Sequence, residues 1–314
     1  MKKKLVAGAV TLLSVVTLAA CANSTNKDVV TMKGDTITVS DFYDEIKSNQ
    51  GAQQVLFQMT INKVFEKEYG SKISDKEVDK ELAKQKKQLG NQFDAYLAQQ
   101  GLTEETAKKQ IRSNMLLEYA VSQAAKKDIK ESDYKKAFES YTPEVTAQII
   151  KLDSEDKAKE VLEAAKAEGA DFAKIAKDNS IDTATKDKGG EVKFDSGTAD
   201  IPSQVKEAAF KLDENGISDV ITVSAGQNYS ASYYIVKLNK KTEKGSDWKK
   251  YEKRLKEIII EGRKQDTNYI RSIIAKAMTN ANIKVKDDAF KSTFNQYLQN
   301  IGVETSDSSS SSKK

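Results

Sequence analysis

The feature that most constrains this chain is where its strand-forming residues fall. Val145–Leu152 is a strand-like apolar run, and a helical pattern follows over Lys157–Gly169. Asp171–Ser180 gives a second short helical turn, and the pair Gly189-Gly190 opens a short strand, Glu191–Phe194. Pro202 starts a helix that ends near Leu212, and the strands Ser218–Val223 and Ser232–Leu238 close the series. Strand, helices, strand, helix, strand, strand from Pro143 to Asn239 predicts a compact α+β domain. Both flanks read differently. Before it, Val55, Met59 and Ile61–Phe65 carry an apolar helical face. Ser74 and Glu77 form a capping box, and Thr103 opens a helix with Glu104 and Glu105 in its first turn. Ile111, Met115 and Tyr119 recur at four-residue spacing, with Leu116 and Ala120 beside them, as a packing stripe, and Ser132–Tyr141 is a last helix. Beyond it, Trp248, Tyr251, Leu255, Ile258 and Ile259 share one helical side, and Phe290, Phe294, Tyr297 and Leu298 mark a further helix. With 38% hydrophobic and 31% charged residues, neither flank can form a core alone. They are expected to pack on each other as one split helical domain, with the α+β unit inserted between its halves.

The order of pieces in the central stretch resembles the parvulin family of peptidyl-prolyl isomerases. The resemblance rests on Asp171–Ser180, Gly189-Gly190-Glu191, Ala208–Leu212, Gly216–Asp219 and Tyr234–Lys237. Over its whole length the chain resembles the PrsA-type foldase lipoproteins of Gram-positive bacteria, in the branch of proteinase maturation lipoproteins. The resemblance implies a parvulin-like antiparallel sheet with helices, set in a mostly helical, SurA-like chaperone domain. The layout expected is a signal peptide at 1–20, a lipidated Cys21 with its tether to 28, and helical flanks at 29–142 and 240–304. These enclose the parvulin-like domain, 143–239, and precede a disordered serine-rich tail, 305–314. The hairpin Val29–Val39, turning at Lys33-Gly-Asp35, and a helix capped by Ser40 open the first flank.

The leader carries chemistry of its own. Met1-Lys-Lys-Lys4 is basic, and Leu5–Ala19 is apolar but short for a membrane span. It ends in Leu18-Ala-Ala-Cys21, which resembles the bacterial lipobox. The chain's single cysteine therefore stands where a diacylglycerol would be attached, anchoring the protein to the extracytoplasmic face of the cell membrane. The alternative is an ordinary signal peptide with an incidental cysteine.

Isomerisation must lower a rotation barrier of about 18–20 kcal/mol without covalent chemistry. Parvulins use two histidines and a cysteine or aspartate beside an apolar pocket for the proline ring. By resemblance those positions fall on Gln148, Tyr234 and Asp182, with Phe194, Ile201, Val205 and Phe210 lining the pocket. The sequence contains no histidine, so both imidazoles are absent. Two readings stand open: a weak isomerase working through pocket and Asp182, or a folded relic that binds peptide without catalysis.

The same counts exclude other classes. No Ser-His-Asp or Cys-His nucleophile, no Cys/His zinc site and no intramolecular disulfide can form. No metal or cofactor is expected. Net charge is +4 without a basic stripe, which argues against nucleic acid. No phosphate-binding glycine loop is present, which argues against a nucleotide. Asp195, Asp213 and Glu214 could suggest a hydrolytic acid/base pair but read as surface charge. A solute-binding lipoprotein would need two βα lobes, and only one small sheet is present. The expected partners are unfolded or folding secreted proteins and, through the anchor, the membrane.

Overall fold

The computed structural model describes residues 27–225 and 230–298. The expected leader with Cys21, and the tail from Thr305, lie outside the described residues. The fold is α+β and divides into two compact units, Met1–Gly70 with Ile274–Lys314, and Ser71–Ile273.

The first unit opens with the antiparallel hairpin β1 (Asp28–Met32) and β2 (Asp35–Thr38). Helices α1 (Val39–Ile46) and α2 (Gln50–Tyr69) follow. Thr38, not Ser40, caps α1: its hydroxyl accepts from the Asp41 amide while the Asp41 carboxylate accepts the Thr38 amide at 2.8 Å. Reciprocal capping satisfies two otherwise orphan donors and moves the helix start two residues earlier than the sequence suggests. The chain's far end returns to this unit. Phe57 of α2 stacks on Tyr297 of α12 (Lys291–Leu298) with centroids 4.4 Å apart and meets Phe294 edge-on at 5.4 Å. Tyr43 donates to the Asp287 carboxylate at 2.8 Å, and Gln53 to the Ala289 carbonyl at 2.9 Å.

In the second unit, α3 (Asp75–Leu89), α4 (Phe93–Gln99), α5 (Glu104–Asp128) and α6 (Glu131–Ser140) precede the sheet, and α10 (Glu252–Gln265) and the start of α11 (Thr267–Asn280) follow it. The expected box closes at α3, with Ser74 and Glu77 bonded reciprocally. The buried face of α5 runs through Ala107, Ile111, Leu116, Ala120, Val121 and Ala125, leaving Met115 and Tyr119 only partly covered. Of the expected stripe, Ile111, Leu116 and Ala120 hold the contact face, while the strict four-residue series through Met115 and Tyr119 drifts off it because the helical repeat is 3.6 residues. Helix α10 packs on α5 and α6 through Leu255, which is fully buried. Arg263 closes this junction, donating to the Ala125 carbonyl at 2.9 Å and to the Asp133 carboxylate at 2.8 Å. A guanidinium at the end of α5 answers the unpaired carbonyls and negative dipole there.

The sheet has strands β3 (Val145–Leu152), β4 (Glu191–Phe194), β5 (Ile221–Ala225) and β6 (Ser230–Lys241) in the order β4-β3-β6-β5, all antiparallel. Helices α7 (Glu155–Lys166) and α8 (Phe172–Asn179) cover one face, packing on Ile150, Leu152 and Ile235. Helix α9 (Ser203–Lys211) covers the other, packing on Val145, Ala147, Ile149, Val236 and Leu238. Cover on both faces explains why β3 reads as a nearly continuous apolar run. Strand β5 starts three residues later than the expected Ser218. The Ser218 hydroxyl instead accepts the Val236 amide at 3.0 Å and stands in for a ladder bond.

Candidate functional site

Strand alternation decides which of the expected site residues can meet. In an antiparallel ladder, directly paired residues point to the same face. Gln148 pairs with Lys237, and Lys151 pairs with Tyr234. Gln148 therefore shares the side of Ile150 and Leu152, under α7 and α8. Tyr234 lies on the opposite side and packs against the cluster built on Val205 and Val236. The fold does not bring Gln148 and Tyr234 together.

Gln148 has a structural task on its own side. Its amide donates to the Gly189 carbonyl at 3.0 Å, tying the loop after α8 to β3. Gly189 and Gly190 have φ of +67° and +78°. A Cβ on Gly190 would lie 2.5 Å from the Ile149 carbonyl oxygen. Only glycine permits both that backbone conformation and that approach. The double glycine is thus a docking turn, and Gln148 is its latch.

Asp182 lies in the same loop. Its carboxylate accepts from the Thr185 hydroxyl at 2.6 Å and the Ala184 amide at 3.2 Å, so it holds its own turn. One residue earlier, the Ile181 amide donates to the Lys151 carbonyl at 2.9 Å. The Asp182 segment and Tyr234 are therefore brought to the two sides of Lys151, about 5 Å of strand spacing away on each side.

Of the four expected pocket residues, Phe194 and Val205 are 1% and 0% exposed and belong to the core. Ile201 and Phe210 are partly exposed and pack against it, with Phe194 and Phe210 rings 5.8 Å apart. Ile221, Val223 and Tyr234 are likewise only partly buried against this cluster.

Sequence reasoning passed over Lys151. A lysine in a strand reads as solvated, and only the register places its ammonium above the Tyr234 ring, 5.8 Å from the centroid. It also misplaced Asp195, which is 6% exposed rather than a surface charge. Arg254 of α10 grips it with two bonds, Nε at 2.6 Å and Nη2 at 2.8 Å, and Tyr141 and Thr198 also donate to it. Burial opposes the charge on Asp195, but the bonds and charge of Arg254 outweigh it, and the carboxyl is held below its usual range. Burial, reinforced by the Asp195 charge, pushes the Tyr141 phenol well above its ordinary value. Asp213 and Glu214 are exposed and take no part in this cluster. The group is a clasp between sheet domain and α10 rather than an acid/base pair.

Comparison with known proteins agrees with this architecture. Residues 142–240 match the family described as Rotamase, PPIC-type PPIASE domain. The foldase protein PrsA of Streptococcus sanguinis is 62% identical over 96% of this chain and 90% of its own. That of Streptococcus gordonii is 59% identical over the full length of both. The chain belongs to the PrsA foldase family. The crystal structure of PrsA from Streptococcus pneumoniae superposes with a TM-score of 0.81 at 54% identity, over 86% of this chain and 99% of that one. That from Lactococcus lactis gives 0.64 at 39% identity, over 86% and 99%. As a PrsA-family protein this chain keeps the PPIC-type domain, in a sequence that contains no histidine.

Proposed function

We propose that this protein is a lipid-anchored, extracytoplasmic foldase that holds secreted polypeptides while they fold, with its parvulin-like domain serving as a peptide-binding module. Family membership supports the foldase role. The observation that carries the choice between isomerase and binding module is the separation of Gln148 and Tyr234 onto opposite faces, with Phe194 and Val205 closed into the core. Two hydrogen-bonding groups on opposite sides of a sheet cannot act together on one peptide carbonyl, and a buried wall cannot seat a proline ring.

The main client surface lies in the helical flanks. Val30, Met32, Phe42, Val55 and Met59 are among the exposed large apolar residues, each 47–59% accessible, all in the unit that opens the chain. Methionine and aliphatic surfaces suit clients with no fixed sequence, because unbranched side chains repack on each partner. The proposed layout keeps Cys21 as the acylated N-terminus, 21–28 as tether, and 29–142 with 240–304 as the chaperone part around 143–239. No helix among the described residues is long and apolar enough to cross a membrane. Attachment is assigned to Cys21, where two acyl chains suffice.

A paired assay on the mature protein tests this. It should suppress aggregation of an unfolding client without nucleotide. It should leave proline-limited refolding of a second client near its uncatalysed time of roughly tens to hundreds of seconds. Strong acceleration of that step, lost in Tyr234→Phe, would return the domain to the enzymes.

A further inference from the structure

In the first unit, Gln53, Phe57, Thr60, Val64 and Lys67 recur at helical spacing and share one face of α2. Helix α12 lies over the first part of that face. At its start, Gln53 donates to the Ala289 carbonyl and accepts from the Thr293 hydroxyl at 3.1 Å. At its end, Phe294 and Tyr297 meet Phe57. Helix α12 therefore advances along α2 in the same direction, and the chain passes Leu298 heading toward Thr60 and Val64. There the second part of the face forms a groove of about 500 Å³ with the end of α11. Ala277, Ala281 and Ile283 make its other wall. Lys63, Lys67 and Glu68 stand exposed along it and leave it net positive. The walls are fixed from behind. The Thr60 hydroxyl donates back to the Leu56 carbonyl at 2.9 Å. Beyond α11, Asn282 has φ of +51°, its amide donates to the Thr279 carbonyl, and the Ile283 amide donates to the Met278 carbonyl at 3.2 Å. This left-handed closure folds Ile283 back onto the helix that it ends.

We propose that this groove is a docking site for the chain's own segment Ile301-Gly-Val-Glu304, which lies beyond the described residues. Ile301 and Val303 cover Val64, Ala277 and Ile283, and Glu304 stands beside Lys63 and Lys67. Direction, reach and charge select this occupant. Val64 follows Phe57 by seven positions, which is about 10 Å along α2. From Tyr297, over Phe57, to Ile301 is four positions, which span about 6 Å as helix and about 13 Å extended. The two branched apolar residues meet a wall of alanines, which leaves room for them, and the acid that follows meets the positive rim. A segment on so short a tether acts at an effective concentration on the order of 1 mM. An intrinsic affinity of roughly 0.2 mM then fills the groove about five-sixths of the time. The segment thereby shields an apolar groove in the unit assigned to clients, and it can be displaced.

The test follows the methyl chemical shifts of Val64, Ala277, Ala281 and Ile283 in the soluble chain from Ala22 onward. The double variant Ile301→Ser/Val303→Ser should move these four resonances. A synthetic peptide spanning Gln299–Asp307, added to that variant, should return them to their wild-type positions. The same peptide should bind the wild type about six-fold more weakly, because the tethered copy competes. Lys63→Glu with Lys67→Glu, made in the double variant, should weaken the peptide about two- to ten-fold, and Glu304→Lys in the peptide should recover part of the loss. Ala281→Trp fills the groove from its own wall and should abolish peptide binding. Four outcomes overturn the proposal. The groove resonances stay unmoved in the double variant, or the peptide still binds when Ala281→Trp has filled the groove. A peptide of the same composition in scrambled order binds equally well, which makes the groove a general apolar client site. The wild-type shifts change with protein concentration, which makes a second copy the occupant.

Discussion

Cutting the Asp195–Arg254 clasp should reveal how the sheet domain is held to α10. Asp195 is 6% exposed and receives two of its bonds from Arg254. Arg254→Ala leaves a buried carboxylate with only Tyr141, Thr198 and the Gly197 amide. Removing one partner of a buried pair costs about 3–5 kcal/mol. The Arg254 side chain is 35% exposed, so water can enter its place, and the lower end, about 3 kcal/mol, is expected. Asp195→Ala should cost about 2 kcal/mol, because Arg254 keeps Glu257 at 3.0 Å and solvent. The double variant should cost little more than Arg254→Ala, a coupling of about 1.5–2 kcal/mol. Trp248, the one tryptophan, stacks on Tyr134 with centroids 5.1 Å apart beside α10, so its emission during urea unfolding reports on this unit. The pH dependence checks the sign. Asp195 is depressed in the folded state, so its contribution is present above the unfolded value of about 3.9 and is lost as pH falls through the lower folded value. In Arg254→Ala, burial without the guanidinium raises that carboxyl, and stability should instead fall as pH rises through the raised value. A loss below about 0.5 kcal/mol, additive singles and an unchanged pH profile would refute a buried charge-paired clasp.

Further outcomes follow from other contacts. Gly190→Ala, with its Cβ 2.5 Å from the Ile149 oxygen at φ +78°, should cost about 2–4 kcal/mol in chemical denaturation. Gln148→Ala should lose about 1 kcal/mol through the Gly189 bond while leaving any prolyl isomerisation rate unchanged, as a latch would. Val205→Ala should show itself as about 2–3 kcal/mol of lost stability in thermal melts rather than as weaker peptide binding, since Val205 is fully buried. Cys21→Ala should abolish labelling by a fatty-acid probe and release the protein from membranes; undiminished labelling would remove the anchor assignment.

Much of the central domain was legible in order. Gly189-Gly190, Pro202 and the apolar runs of β3 and β6 marked its elements, because glycine and proline punctuate chains locally and strand runs need only neighbours in sequence. Helix caps were legible where the box was clean, as at Ser74 and Glu77. They were misplaced where two candidates stood close, as at Thr38 and Ser40. The side of the sheet on which Gln148 falls was not legible. It depends on strand register, including the irregularity between Thr146 and Ala147, and a shift of one residue exchanges the faces.

By itself the sequence determined the fold class and the absent chemistry. Periodicity and turn residues act over a few positions, and a chain with no histidine cannot acquire an imidazole by folding. The tertiary structure decided which charges matter. Asp195 and Arg254 are 59 residues apart, and nothing local distinguishes them from their many solvated neighbours until α10 closes on the sheet domain and excludes water. Likewise Lys151 meets Tyr234 only because β3 and β6 pair in one register. A charge acquires its energy and its role from the dielectric and the partners around it, and both are products of the packed chain.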